Sequence, residues 1–329
     1  MNFKLVLKLV FSLGLLAILA VWVDLESVRS AFADANFAFI LVALLLVTAG
    51  RILMAIKWNA LLLTKRIRIP WGIAIKFYYI SGFVGIFLPI TVGADAVRCI
   101  LTIKKYGHHA DVISSVFVER LLGLFVLLIF GSLGGIVLYQ FFENLEVNPQ
   151  RLVVAAAILL VLVLGCTLFI FLPICGRMIA ALSRRFQEYP RAKKLTIFVQ
   201  KLHNSLHEYR GHTPTILLFL LLTVIENILP IVTVWIIGLS MNVGIPILYY
   251  VVVVPIALFV KRMPVSFGGL GLQEGVFIYF LSLVGVDNGI AFSMSLAQYF
   301  LGVISLLPGA IFYLSYRDVI RSATPQRES

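Results

Sequence analysis

The chain has 329 residues, 61% of them hydrophobic and 13% charged, with a mean hydropathy of +1.04 and a formal net charge of +12. Soluble globular proteins are about 45–50% apolar, so this composition excludes that class and defines a polytopic membrane protein. The basic surplus lies at the ends of apolar runs, which is the cytoplasmic-face bias of membrane proteins rather than a nucleic-acid-binding surface.

The start, Met1–Val23, joins Lys4 and Lys8 to an apolar run. No small-x-small cleavage site precedes Asp24 and further spans follow, so a retained helix is expected over Leu5–Val23. The next loop carries Asp24, Glu26 and Asp34 against Arg29 and suits the outside. A second helix is predicted from about Phe37 to Leu63 with Arg51 deep inside it, and Lys65, Arg66 and Arg68 mark a cytoplasmic turn.

Trp71–Ile90 is apolar but broken by Gly82, Gly85 and Pro89. A full crossing would put Lys104 and Lys105 outside, so the charge bias predicts a re-entrant segment, with Asp95–Lys105 a short helix at the cytoplasmic surface. Val116–Tyr139 reads as a span. Its Gly131 and Gly135 form a G-x-x-x-G step for close helix packing, with self-association the alternative.

Leu152–Leu172 then returns to Gly176–Thr213, where eight Lys and Arg face two Glu. Leu195, Phe198, Leu202, Leu206 and Tyr209 form one apolar stripe there at helical spacing. Such a helix either lies on the anionic inner leaflet or packs on the cytoplasmic end of the bundle.

Ile216–Leu239 crosses outward and Ile247–Val260 comes back. Lys261-Arg-Met-Pro-Val-Ser-Phe-Gly-Gly-Leu-Gly-Leu-Gln-Glu-Gly275 follows, then Val276–Val286. Both apolar flanks fall short of the ~20 residues that a helical crossing needs. Irregular backbone at membrane depth survives where protein covers it or where it lines a wet cavity, and such breaks point to transporter sites. An ordinary cytoplasmic loop is the plainer alternative. Charge favours a discontinuous outward crossing here, after which Ile290–Tyr316 returns and Arg317, Arg321 and Arg327 end in the cytoplasm.

The expectation is therefore an all-α protein of about eight transmembrane helices plus one re-entrant segment, discontinuous around 71–92 and 261–286, forming one domain over 1–320 with a basic tail at 317–329. Phe87–Asp95 and Met263–Gly271 each pair a proline with a later glycine, a short internal echo of the kind transporter repeats show.

Ionisable groups in hydrocarbon must be paired or functional. Asp95 and Arg98 share a helix face and can neutralise one another, or Arg98 can fork a phosphate. Adjacent Glu119 and Arg120 point about 100° apart and should have different partners. Glu226 and Asn227 sit mid-helix, and Pro230 cannot donate to the Glu226 carbonyl. That polar cluster suits a cavity or proton relay, or a Glu226 paired with Arg51 or Arg120.

Gly268, Gly269 and Gly271 lack the Lys-Ser/Thr of a nucleotide loop. They suit backbone N–H groups aimed at an anion, or the start of a half-helix under Gln273 and Glu274, where Glu274 also complements the helix dipole. With Lys261, Arg262 and Ser266 these residues form the candidate substrate-binding set. Cys99, Cys166 and Cys175 lack metal-like spacing, and neither H-E-x-x-H nor G-x-S-x-G occurs. No metal, cofactor or catalytic residue is expected.

Pro89, Gly93-Ala-Asp95-Ala-Val-Arg98, Val118-Glu119-Arg120 and Pro264-Val-Ser-Phe-Gly-Gly-Leu-Gly-Leu-Gln-Glu274 together resemble the lysylphosphatidylglycerol synthase transmembrane-region family, also called flippase-like. Arg51 with Trp58 fits too, and Gly93-Ala94 departs mildly from a Gly-Gly pattern. The resemblance spans about residues 5–320. It implies a plasma-membrane helical domain, bacterial or archaeal, that moves lipids or lipid-linked sugars between leaflets. Its aminoacyltransferase domain is not expected, since only a 13-residue basic tail follows Tyr316. The alternatives are a non-transporting partner of a lipid or glycan synthesis complex, and an enzyme acting on a polyprenyl-phosphate. Membrane lipids with anionic headgroups are the expected partners, with a homo-oligomer or a lipid-synthesis enzyme left open.

Overall fold

A computed structural model describes residues 12, 14–19, 23–88, 93–141, 154, 157, 158, 161, 165, 200, 201, 203–262, 266 and 268–321. The described residues are helices and the turns between them, an all-α membrane protein as expected. Among them, Phe37–Thr64, His109–Gly134, Thr213–Ser240 and Asn288–Tyr316 are long and apolar enough to cross a bilayer. The expected span Leu152–Leu172, most of Leu5–Val23 and the basic stretch 176–199 lie outside the described residues.

Helix α1, Leu25–Ala33, starts at Asp24, whose carboxylate accepts the Glu26 N–H at 3.1 Å and the Ser27 hydroxyl at 3.0 Å. Helix α2, Phe37–Thr64, is capped by Asn36, and the Asn36 N–H reaches the Ser240 carbonyl at 2.8 Å. That bond fixes one end of the bundle, and Lys65 marks the opposite, basic end.

From the basic end, α3 (Trp71–Ile86) and α4 (Gly93–Tyr106) make a hairpin. Gly85 lets its arms close, because a Cβ there would lie 2.7 Å from the Ala94 Cβ. Gly107, at φ +75°, then turns the chain into α5, His109–Phe141. A hairpin is the shape that the re-entrant reading of 71–90 requires. The helix expected at the surface over 95–105 is its returning arm, α4, with Asp95, Arg98, Leu101 and Thr102 buried.

Helix α6, Thr213–Ser240, runs antiparallel to α2 and contains Pro230. The next two helices, α7 (Ile247–Arg262) and α8 (Leu272–Ser282), differ from expectation. Phe277 and Leu281 of α8 share a core with Ile237, Met241 and Val243, at the end where α7 begins. Gly289, just past α8, sits against Ser27 and the Asp24 carbonyl.

So α7 and α8 enter and leave at one end, and their hairpin replaces two of the eight expected crossings. Length explains the reversal. Sixteen residues in α7 and eleven in α8 reach about 24 Å and 16 Å at 1.5 Å per residue, against ~30 Å of hydrocarbon. Gly268, Gly269 and Gly271, at φ +64°, +87° and +85°, turn the backbone where other residues would be strained.

The last span, expected as one helix, is two: α9 (Asn288–Ile304) and α10 (Pro308–Arg321). Pro308 has no N–H to continue the ladder, and a turn over 305–307 separates them. Helix α10 runs back along α3, with edge-on ring contacts from Tyr316 to Phe77 and from Phe312 to Tyr79. The described chain thus shows one plan twice. Span, hairpin, span is written by α2, α3–α4 and α5, then in the opposite sense by α6, α7–α8 and α9–α10. Gly93 of the first proline-glycine segment and Gly268–Gly271 of the second stand at the two reversals; 89–92, 263–265 and 267 lie outside the described residues.

Close packing on α5 falls at Gly134, not at the Gly131 of the expected G-x-x-x-G step. A Cβ on Gly134 would lie 3.0 Å from the Val252 Cα and the Val251 carbonyl, whereas nothing lies within 4 Å of one on Gly131. Gly134→Leu should lower the thermal midpoint in detergent through overpacking of ~1–3 kcal/mol or more, and Gly131→Leu should not. Equal midpoints for the two variants would refute this placement.

At the basic end, Leu206 and Tyr209 from the amphipathic stretch pack with Leu61, Val118 and Phe219. The buried Lys65 ammonium donates to the Ser205 carbonyl and to Glu208, and Ser205 donates to Asp111 at 2.6 Å. This part of the stripe therefore covers the bundle's own end rather than lipid.

Candidate functional site

Two charged clusters lie inside the bundle, and they differ in kind. The first joins the α3–α4 hairpin to α5. Arg98, 2% exposed, donates to Asp95 at 3.1 Å and to Glu119 at 2.7 Å. Its guanidinium is stacked between the Trp58 and Tyr78 rings, 4.7 Å from each. Arg120 donates through Nε to the other Asp95 oxygen at 2.6 Å. Glu119 and Arg120 do have different partners, as their angular separation requires. Two carboxylates and two guanidiniums leave this cluster neutral. Arg98 has no open face for a phosphate, so the reading of it as a phosphate fork gives way to a structural one.

The second cluster surrounds a cavity of about 250 Å³ between α2, α6, α7 and α9. Arg51 projects from the middle of α2, Glu226 and Asn227 from the middle of α6 beside Pro230, and Lys261 and Arg262 from the tip of α7. Gln298 and Gly302 of α9 close the remaining side. A Cβ at Gly302 would stand 4.0 Å from Arg51 Nη2, which places the guanidinium against this part of α9.

Glu226 is already neutralised, but by neither expected arginine. The ammonium of Lys57, 1% exposed, bonds it directly, donates to Thr223 at 3.2 Å and lies 4.6 Å from the Phe219 ring centre. Arg51, Lys261 and Arg262 form no ion pair or hydrogen bond with the described residues. Lys261 has only the Tyr299 ring, 5.5 Å from its ammonium. Arg51 and Arg262 are within Coulombic reach of Glu226, and Lys261 of both Arg51 and Glu274. The cavity carries more cations than carboxylates, since Glu226, the carboxylate in its wall, is already held by Lys57.

The glycine segment supports this site without lining it. A Cβ on Gly269 would come within 2.5 Å of Lys261 Cγ, and one on Gly271 within 2.8 Å of Leu15. The fully buried Glu274 accepts the Gly271 N–H at 2.6 Å and the Ser295 hydroxyl at 3.4 Å. That N–H is therefore spent on capping α8 rather than on a ligand, the dipole-partner reading of Glu274. Gly268 is exposed, and the buried Ser266 hydroxyl has no partner among the described residues. Neither lines the cavity.

Lys57 was missed by sequence reasoning. The signal was a mid-span carboxylate, Glu226, needing a cation on a facing helix. In a double-mutant cycle, Lys57→Met alone should destabilise strongly by leaving Glu226 charged and unpaired, by about 3–5 kcal/mol. Glu226→Gln in the same chain should recover most of that loss. Additive midpoint losses would show that the pair is not coupled.

The arrangement is that of a polytopic α-helical membrane protein with a charged site at the tip of a short helical hairpin. Residues 5–309 match the family model for the lysylphosphatidylglycerol synthase TM region, and the chain belongs to that family. It is 25% identical to the UPF0104 membrane protein PH1989 of Pyrococcus horikoshii over 336 aligned positions, covering 97% of this chain and 99% of that one. No solved structure matches it.

Proposed function

We propose that this protein carries a lipid with an anionic headgroup between the leaflets of the plasma membrane, the headgroup passing through the Arg51–Lys261–Arg262 cavity. The supporting observation is that three cations lining one cavity form no ion pair with the described residues, whereas Asp95, Arg98, Glu119 and Arg120 are joined in one neutral network. Unpaired charge in hydrocarbon is expensive and marks a substrate path. A scaffold that only organises a synthesis complex would need no such charge.

Drug-sized ligands occupy pockets of about 300–1,000 Å³. The cavity's volume of about 250 Å³ suits a headgroup whose acyl chains stay in lipid. No bond is made or broken in this reading, and the basic end faces the cytoplasm, in keeping with Lys65, Arg66, Arg68, Lys104 and Lys105.

The test is leaflet exchange of labelled lipids in vesicles holding purified protein. Wild type should exchange an anionic lipid, and Arg51→Gln should slow it about tenfold or more, the loss of one charge-assisted contact. Exchange equal to that of protein-free vesicles would reject transport and leave the scaffold reading.

A further inference from the structure

We infer that the cavity selects a terminal phosphate carrying two negative charges, as a phosphate monoester or diphosphate, over the single charge of a phosphodiester headgroup. The inference rests on the transport reading above and specifies its substrate class.

Charge balance comes first. With Glu226 held by Lys57 and Glu274 capping α8, no carboxylate among the described residues stands within ion-pair distance of Arg51, Lys261 or Arg262 in the cavity walls. A monoanion leaves two of these charges without an ion-pair partner in the cavity. A dianion leaves one.

Oxygen count agrees. A terminal phosphate offers three free acceptor oxygens, and a bridging phosphodiester has two. Three cations reach inward from two helices, Arg51 from α2 and the Lys261–Arg262 pair from the tip of α7, and both arginines can bind two oxygens as a fork. The lining has Asn227 and Gln298 as its uncharged amides. The Asn227 amide donates to the Thr223 carbonyl at 2.8 Å, and the Gln298 carbonyl accepts from Gln273 at 3.0 Å. These bonds brace the wall and leave charge as the main basis of discrimination.

The experiment uses full-length protein in phosphatidylcholine vesicles at about pH 7, above the second phosphate pKa of about 6. Labelled phosphatidic acid, polyprenyl phosphate, phosphatidylglycerol and phosphatidylcholine are compared. Phosphatidic acid or polyprenyl phosphate should exchange at least about tenfold faster than phosphatidylglycerol, the ratio one lost charge contact gives. Whichever of the two is faster identifies a glycerolipid or an isoprenoid tail, and either result supports the inference.

A second measurement reads binding alone. Glycerol phosphate should raise the thermal midpoint in detergent and dimethyl phosphate should not, a contrast that Arg262→Gln should reduce. Phosphatidylglycerol exchanging as fast as the monoesters, with no difference between the soluble phosphates, would overturn the inference and leave transport standing. Exchange of no lipid would overturn transport, and the inference with it.

Discussion

Gly269→Ala should lose leaflet exchange while still inserting and folding. Its φ of +87° lies where an L-residue is strained by ~1–2 kcal/mol. The added methyl would also stand 2.5 Å from Lys261 Cγ and 3.1 Å from the Lys261 Cα. Backbone cannot give way cheaply, so the tip of α7 must shift, and the Lys261 ammonium shifts with it. Each 1.36 kcal/mol of lost stabilisation is about tenfold in rate, and overpacking adds ~1–3 kcal/mol.

Gly268→Ala is the control. Its φ of +64° carries similar strain, but its Cβ meets nothing nearer than the Tyr299 hydroxyl at 3.8 Å. It should keep most exchange. Equal exchange from both variants, normalised to folded protein, would show that Lys261 placement is not what Gly269 protects.

The second large effect belongs to the neutral cluster, and it is on folding. Arg98→Ala leaves Asp95 and Glu119 buried and opens the slot between Trp58 and Tyr78. Breaking one partner of a buried ionic network costs on the order of 3–5 kcal/mol. Arg98→Lys should recover little, because an ammonium on a flexible stem cannot stack between two rings while bonding two carboxylates. Asp95→Ala should be comparably damaging, since Arg98 and Arg120 both depend on it. The measurement is the folded fraction after detergent extraction and its thermal midpoint. A well-folded Arg98→Ala protein that fails only in exchange would restore Arg98 to the transport path.

Much of this was legible in the sequence. Helix α2 begins at the residue predicted for it and ends one residue later, because its apolar run is continuous and Asn36 caps it. The broken segments and the charged residues of both clusters other than Lys57 could also be named, since polar groups inside apolar runs are conspicuous.

The path of α7 and α8 could not be read, for a physical reason. A crossing inward followed by one outward, and a hairpin from the outer side, leave every later loop on the same side, so the charge bias cannot separate them. Lys261 and Arg262 look like an ordinary cytoplasmic cap in sequence, and only the cavity they share with Arg51 and Glu226 sets them apart from one. Lys57 was hidden in the same way, eight residues before Lys65 and easily assigned to that basic turn.

The twice-written span, hairpin and span bears on how the chain is inserted. A framework whose halves run in opposite senses has nearly the same profile of long and short apolar segments viewed from either face of the bilayer. Hydrophobic length alone then gives the insertion machinery no preference for one way up. The preference must come from charge, with each Lys or Arg near an anionic surface contributing ~1 kcal/mol. Lys65, Arg66, Arg68, Lys104 and Lys105 at one end, against Asp24, Glu26, Asp34 and Asp287 at the other, act in effect as the address that decides which leaflet the α7–α8 hairpin opens toward.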